Sequence, residues 1–184
     1  MVISLDDKNL INDCIAGKRD AQYQLYKKYS KAMFNICLRM VTDQSEAEDV
    51  LQNSFIDVFA KLKYFRFEST PGAWIKRIVV NNCINYLRKS KVEFQSADYI
   101  PEVADTSESD DVNFNIDIVK KAINVLPDGY RMIFCLYTME GYDHGEIAEI
   151  LNISESTSKS QYSRARSKLY EILKSNGSID LIYQ

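Results

Sequence analysis

Residues 141–174 read GYDHGEIAEILNISESTSKSQYSRARSKLYEILK, and their pattern decides the fold. Glu146-Ile147-Ala148-Glu149-Ile150-Leu151 is a short amphipathic stretch, Asn152-Ile153-Ser154 a turn, and Glu155 to Lys174 a longer helix. Ser158, Tyr162, Ala165, Leu169 and Ile172 recur at helical spacing and form the inward stripe of that helix. Ser156, Lys159, Ser160, Ser163, Arg164 and Ser167 face out, and Ser154 is placed to cap the start. From Ser156 to Lys174 there are five Lys/Arg against one acid, Glu171, whereas Asp143 to Glu155 holds four acids and no base. A polar helix, a three-residue turn and a cationic second helix are what a helix-turn-helix uses to lay one helix in a DNA major groove. The plainer alternative, a solvated helix with scattered charge, leaves the coincidence of turn, cap and charge separation unexplained.

The rest of the chain has the composition of a helical globular protein. It has 184 residues, 46% of them hydrophobic, with only six Gly and three Pro, and no strand alternation anywhere. No apolar run approaches the ~20 residues that span a bilayer, so no membrane insertion is expected. The start, Met1-Val2-Ile3-Ser4-Leu5-Asp6-Asp7, has neither the basic residues nor the apolar core of a secretion signal. The cysteines at 14, 37, 83 and 135 are scattered without a C-x-x-C. They read as small buried hydrophobes in a reducing cytoplasm. With His144 the one histidine, no metal site and no cofactor are expected.

Charge is distributed unevenly. The net charge of −3 divides into +5 over residues 1–91, −8 over 92–118 and 0 over 119–184. The expected organisation is an all-α protein of two small helical domains, residues 1–89 and 114–177. A flexible acidic linker, 90–113, joins them, and 178–184 form a loose tail.

Helix signals divide the first domain. A helix over Asp6 to Ala16 should stop at Gly17, and Asp20 should cap a second that runs to about Val41. Ser45-Glu46-Ala47-Glu48 is a capping-box pattern for a third helix to about Leu62, and Thr70-Pro71 opens a fourth to about Lys89. In the second domain, helix resumes at about Phe114, breaks at Pro127 and continues from Asp128 to about Met139.

Two faces of the first domain call for a partner. On the third helix, Asp49, Gln52, Asn53, Ile56 and Ala60 lie opposite a core stripe of Ala47, Val50, Leu51, Phe55, Val58, Phe59 and Leu62. Amide, carboxylate and one aliphatic group in a line suit the docking of another protein's helix; a solvated face with one stray apolar residue is the alternative. On the fourth helix, Trp74, Arg77, Asn81, Asn85 and Arg88 gather on one side, behind the loop Tyr64-Phe65-Arg66-Phe67-Glu68-Ser69. Guanidinium, amide and aromatic groups contact phosphates, base edges and base faces. Alternatively, Phe65, Phe67 and Trp74 close the core.

In their order these features resemble a bacterial RNA polymerase sigma factor of the extracytoplasmic-function (ECF) group. The first part of the resemblance is carried by Leu25-Tyr26-Lys27-Lys28-Tyr29, by residues 47–55, by Phe65-Arg66, by residues 73–81 and by Tyr86-Leu87-Arg88. The second is carried by Leu126-Pro127-Asp128-Gly129-Tyr130-Arg131, Gly141-Tyr142, Glu146-Ile147-Ala148 and Ser163-Arg164-Ala165-Arg166. The resemblance implies a region 2 domain, a flexible linker and a region 4 domain in a protein that is not an enzyme. It places Asp49, Gln52, Asn53 and Ile56 on the clamp helices of core RNA polymerase, with region 4 near the flap. It assigns the −10 promoter element to Phe65, Arg66, Phe67, Trp74, Lys76, Arg77, Asn81, Asn85 and Arg88. It assigns the −35 element to Thr157, Lys159, Ser160, Ser163, Arg164 and Arg166. An anti-sigma factor, free or membrane-bound, is the further implied partner. The family usually has an aliphatic residue where Ser158 stands and a basic one where Gln161 stands, so weaker packing and one missing cation are expected in the −35 helix.

Two other readings compete. A free-standing, dimeric helix-turn-helix regulator would explain residues 126–174 but leave the Asp49 face and the aromatic loop idle. A helical scaffold would bind no DNA in a salt-dependent way. The sequence contains no G-x-S-x-G, P-loop, H-E-x-x-H or Rossmann fingerprint, which argues against an enzyme.

Overall fold

A computed structural model describes residues 4–89 and 111–175. The described residues form α-helices joined by short turns and contain no strand. The chain divides into two compact units, Met1–Ser90 and Lys91–Gln184. Most of the expected linker, residues 90–110, and the expected tail lie outside the described residues.

The first unit contains α1 (Leu5–Ile15), α2 (Arg19–Val41), α3 (Gln44–Lys61), a 3-10 turn (Leu62–Tyr64) and α4 (Pro71–Lys89). Gly17, at φ +78°, ends α1 as expected, because a residue with a Cβ resists that left-handed turn. The start of α2 departs from expectation. Lys18 holds the N-cap position and Asp20 lies inside the first turn, where it acts on the helix dipole rather than as a cap. The physical reason is the tight link at Gly17: the Lys18 N–H donates to Asp13 O (3.1 Å), so helix resumes at once. Nor is Ser45 the cap of α3. The carboxylate of Asp43 accepts from Glu46 N (2.9 Å), an anionic acceptor that outcompetes a hydroxyl two residues later. At α4 the signal is borne out, with Pro71 first and Thr70 Oγ1 accepting from Ala73 N (3.2 Å).

Helices α2, α3 and α4 enclose a core whose centre includes Leu25, Cys37, Val58, Ile75, Val79 and Cys83. The four cysteines are free and buried. Asp7 accepts from Lys28 Nζ (2.7 Å) and ties α1 to α2. That hydrogen bond is the main reason the Asp7 carboxyl lies below its ordinary pKa and the Lys28 ammonium above its own.

The second unit contains α5 (Asp111–Val125), α6 (Asp128–Phe134), a π-helical turn (Cys135–Met139), α7 (His144–Leu151) and α8 (Glu155–Ser175). Helix α5 begins three residues before the expected Phe114, inside the stretch read as linker. Ala122, Ile123, Leu126, Phe134, Cys135, Ala165 and Ile172 make the buried cluster. Pro127 breaks the chain, and Arg131 repairs the break. Its guanidinium is 4% exposed, donates to Leu126 O (2.8 Å) and Asn124 O (3.4 Å), and pairs with Asp128. One side chain thereby satisfies carbonyls at the end of α5 that the helix itself leaves open.

Candidate nucleic-acid and partner interfaces

Asp49, Gln52, Asn53 and Ile56 project together from α3 into solvent, and Ile56 is 66% exposed. Ala47, Val50, Leu51, Phe55 and Val58 are buried on the other side, so the two faces expected of this helix exist. Phe59 is half-buried and packs 6.1 Å from Phe55. An aliphatic side chain left in water beside amides costs little when unpartnered and returns more when covered.

On α4, Arg77, Asn81, Asn85 and Arg88 are exposed along one side, while Trp74 and Lys76 are half-buried. The loop before it is arranged differently from expectation. Phe65 is 6% exposed, with Trp74 at 5.3 Å and Phe67 at 4.9 Å between ring centroids. It closes the core and does not present its ring to bases as the structure stands. Phe67 is half-buried, and its φ of +59° is one that a bulky residue rarely adopts. Arg66 is exposed beside them. The exposed aromatic is Tyr64, at 69%, with Lys63 Nζ 5.0 Å from its ring centroid. Hydrophobic pattern could not have ranked Tyr64, Phe65 and Phe67, because the stretch that carries them follows no α-helical period.

Polar side chains tie α3 to α4 at two places that the sequence reading missed. Asn82 Nδ2 donates to Ser54 Oγ (3.2 Å) and to Asp57 Oδ2 (3.2 Å). Tyr86 donates to Glu46, which together with burial and neighbouring carboxylates pushes its phenol up to about 12.

In the second unit the helix-turn-helix forms as read. Asp143 and Glu146 make a capping box at the start of α7, Asn152 takes the left-handed conformation at its end, and Ser154 Oγ accepts from Thr157 N (3.0 Å). Lys159, Ser160, Ser163, Arg164 and Arg166 are exposed on α8, and Thr157 is half-buried. Thr157 and Ser154 also share a hydroxyl hydrogen bond (2.7 Å), while Ser160 Oγ donates back to Thr157 O (3.0 Å). Lys159 is paired with Glu155 (2.6 Å), which raises its pKa and means that an approaching phosphate must compete with a carboxylate.

Ser158 corrects the expectation of weak packing. It is fully buried, and its hydroxyl lies 2.9 Å from His144 Nδ1, a hydrogen bond between α7 and α8. Tyr137 stacks on His144 (4.4 Å) and contacts Tyr162 (4.5 Å), so the imidazole is held by rings as well. Where an aliphatic group would only fill space, Ser158 specifies a partner. Gln161 is half-buried and supplies no cation.

Among the described residues no group of histidine, cysteine and carboxylate side chains could hold a metal ion, and no helix is long and apolar enough to cross a membrane.

Comparison with known proteins matches the two units separately. The family model for Sigma-70 region 2 matches residues 25–92, and that for Sigma-70, region 4 matches residues 116–169. The chain is 28% identical over 169 residues to the ECF RNA polymerase sigma factor SigM of Mycobacterium tuberculosis, covering 91% of this chain and 84% of that one. It is 28% identical over 180 residues to the ECF RNA polymerase sigma factor SigW of Bacillus subtilis, covering 91% and 96%. Among solved structures it is similar to the sigma factor RpoE of Bartonella quintana in complex with the anti-sigma factor NepR, with a TM-score of 0.56 and 25% identity over 83% of this chain and 96% of that one. Its fold is also that of CnrH in complex with the cytosolic domain of CnrY, with a TM-score of 0.56 and 22% identity over 92% and 97%.

Proposed function

The chain belongs to the sigma-70 family, within its extracytoplasmic-function group, and on that premise we propose how its surfaces divide the work of starting transcription. It is a sigma factor of RNA polymerase, which acts by binding rather than by turnover. The α3 face of Asp49, Gln52, Asn53 and Ile56 docks on the clamp helices of the largest polymerase subunit. The α4 face, with Arg77, Asn81, Asn85 and Arg88, contacts the −10 element, assisted by Arg66, Lys76 and the Trp74–Phe67 edge. Phe65 supports that edge from within. Helix α8 reads the −35 element in the major groove through Lys159, Ser160, Ser163 and Arg164, with Thr157 and Arg166 at phosphates. The second unit also meets the polymerase flap, the stretch 90–113 serves as an acidic tether, and the protein works in the cytoplasm. An anti-sigma factor of the kind bound to RpoE is the proposed antagonist.

The observation that carries this reading is that both DNA-suited faces coexist with a separate protein-suited face in one chain. A free-standing dimeric regulator would leave the matched region 2 without a role. Unstacking bases costs a few kcal/mol, and stacking on protein returns about 1–3 kcal/mol per base. Polymerase binding must supply the remainder, so the free protein should hold promoters weakly.

The decisive experiment is transcription in vitro with purified core polymerase and a genomic template library. Start sites preceded by a shared pair of upstream elements are expected, and Asp49→Ala should reduce capture of core enzyme while the helical signal of the fold is retained. Failure to co-migrate with core polymerase or to direct any initiation would overturn the proposal.

A further inference from the structure

We propose that Asn82 is a positioning residue for promoter opening, fixing the angle between the polymerase-docking helix α3 and the DNA-contacting helix α4. The inference rests on the assignment of those two faces above. Asn81 and Asn85 point to solvent, whereas Asn82, a step of about 100° around the helix, is half-buried toward α3. Its amide nitrogen donates both hydrogens across the gap, to Ser54 Oγ (3.2 Å) and Asp57 Oδ2 (3.2 Å).

Both acceptors are themselves fixed. Ser54 is fully buried and donates its hydroxyl to Val50 O (2.7 Å), so a lone pair is what it offers Asn82. Asp57 is paired with Lys61 (3.2 Å), and these two contacts hold its carboxyl below the ordinary range, Lys61 contributing most. On α3, Asp57 follows Ile56 directly and lies one turn beyond Asn53, at the edge of the docking face. On α4 the same brace ends beside Asn81. The two faces therefore share one directional polar link.

Apolar packing of α3 on α4, with Val58, Val79 and Cys83 fully buried, holds the helices together but tolerates small rotations, since dispersion and burial are nearly non-directional. A bidentate amide does not tolerate them. Leucine at position 82 would fill similar space and leave the angle to packing alone. Aspartate there would face the Asp57 carboxylate and push the helices apart.

The test uses the full chain with core polymerase and a promoter identified by the transcription experiment. Three quantities are measured for each variant: affinity for core, formation of the closed complex, and the rate at which promoter thymines become reactive to permanganate. For Asn82→Leu, core affinity and closed-complex formation should stay near the unsubstituted values while opening slows about tenfold, below the ~10²-fold that an ångström of misplacement can cost. Asn82→Asp should slow it further. The exchange Asp57→Asn with Asn82→Asp restores the amide–carboxylate pair but not the Ser54 contact, and should recover part of the rate that Asn82→Asp loses. Cys37→Ala, a cavity in the core of α2, supplies a destabilised control. If opening falls no more than in that control at equal loss of thermal stability, or if all three quantities fall in parallel, Asn82 is only structural and the proposal is overturned. If Arg77→Ala and Asn81→Ala also leave opening intact, the assignment of the α4 face falls and the brace falls with it.

Discussion

The two units solve the same problem with different materials. In the first, three helices of 23, 18 and 19 residues bury enough apolar surface to hold together. Among the described residues of this unit the fully buried polar side chain is Ser54, which donates within its own helix and accepts from half-buried Asn82, the contact that trims the α3–α4 angle. In the second, α6 and α7 have only seven and eight residues, and the buried polar side chains Arg131 and Ser158 connect separate elements. Short helices bury too little to fix their mutual angles, so directional hydrogen bonds take over that task. Stability of the first unit is therefore most sensitive to lost volume, with Asn82 setting alignment rather than cohesion, whereas stability of the second is most sensitive to a lost polar contact.

The sharpest way to break that contrast is Arg131→Ala. It leaves the Leu126 carbonyl and its neighbours without their partner and should destabilise the second unit by about 3 kcal/mol. Amide exchange should accelerate in α5 and α6 and stay unchanged in α3 and α4. Equal acceleration everywhere would show that the units do not differ as argued.

Arg164→Ala comes next. It should cost about 1–3 kcal/mol of discrimination at one −35 base pair if the contact is bidentate to a base. Loss of affinity equal on all sequences would make Arg164 a phosphate contact instead. Ser158→Ala is expected to cost about 1 kcal/mol of stability, because His144 Nδ1 loses its partner, and to weaken −35 promoters more than promoters dominated by the −10 element. Stability equal to that of the unsubstituted protein would show that packing, not the hydrogen bond, joins α7 to α8.

The smallest effect concerns acid. Asp7 and Asp57 have folded-state pKa values depressed below 3.8, so their contribution is present above the unfolded value and lost as pH falls through the folded one. Both are partly exposed, and solvent screening keeps the effect small. Urea unfolding of the first unit should therefore become less stable below about pH 4, with Asp7→Asn flattening that dependence. An unchanged slope would mean that the Lys28 contact does not persist in solution.

How much of this was legible in advance follows from the range of each interaction. Gly17, Thr70-Pro71, Ser154 and the α8 stripe act within a few residues, and each was readable. Asp20 and Ser45 misled because a competing signal nearby, Gly17 in one case and Asp43 in the other, sets the helix start. The loop aromatics could not be sorted, since their burial depends on where Trp74 of α4 arrives.

The helical periods, the segregation of charge onto α8 and the ordered motifs that mark region 2 and region 4 are written in the amino-acid order, because these are properties of neighbours along the chain. Contacts between distant segments settle the rest: Phe65 is buried while Tyr64 is exposed, Asn82 reaches Ser54 across 28 residues, and Ser158 finds His144 across 14. Helical periodicity specifies which way a side chain points. Its partner is set by the axial position and rotation of a different helix, and those follow from the packing of the whole unit.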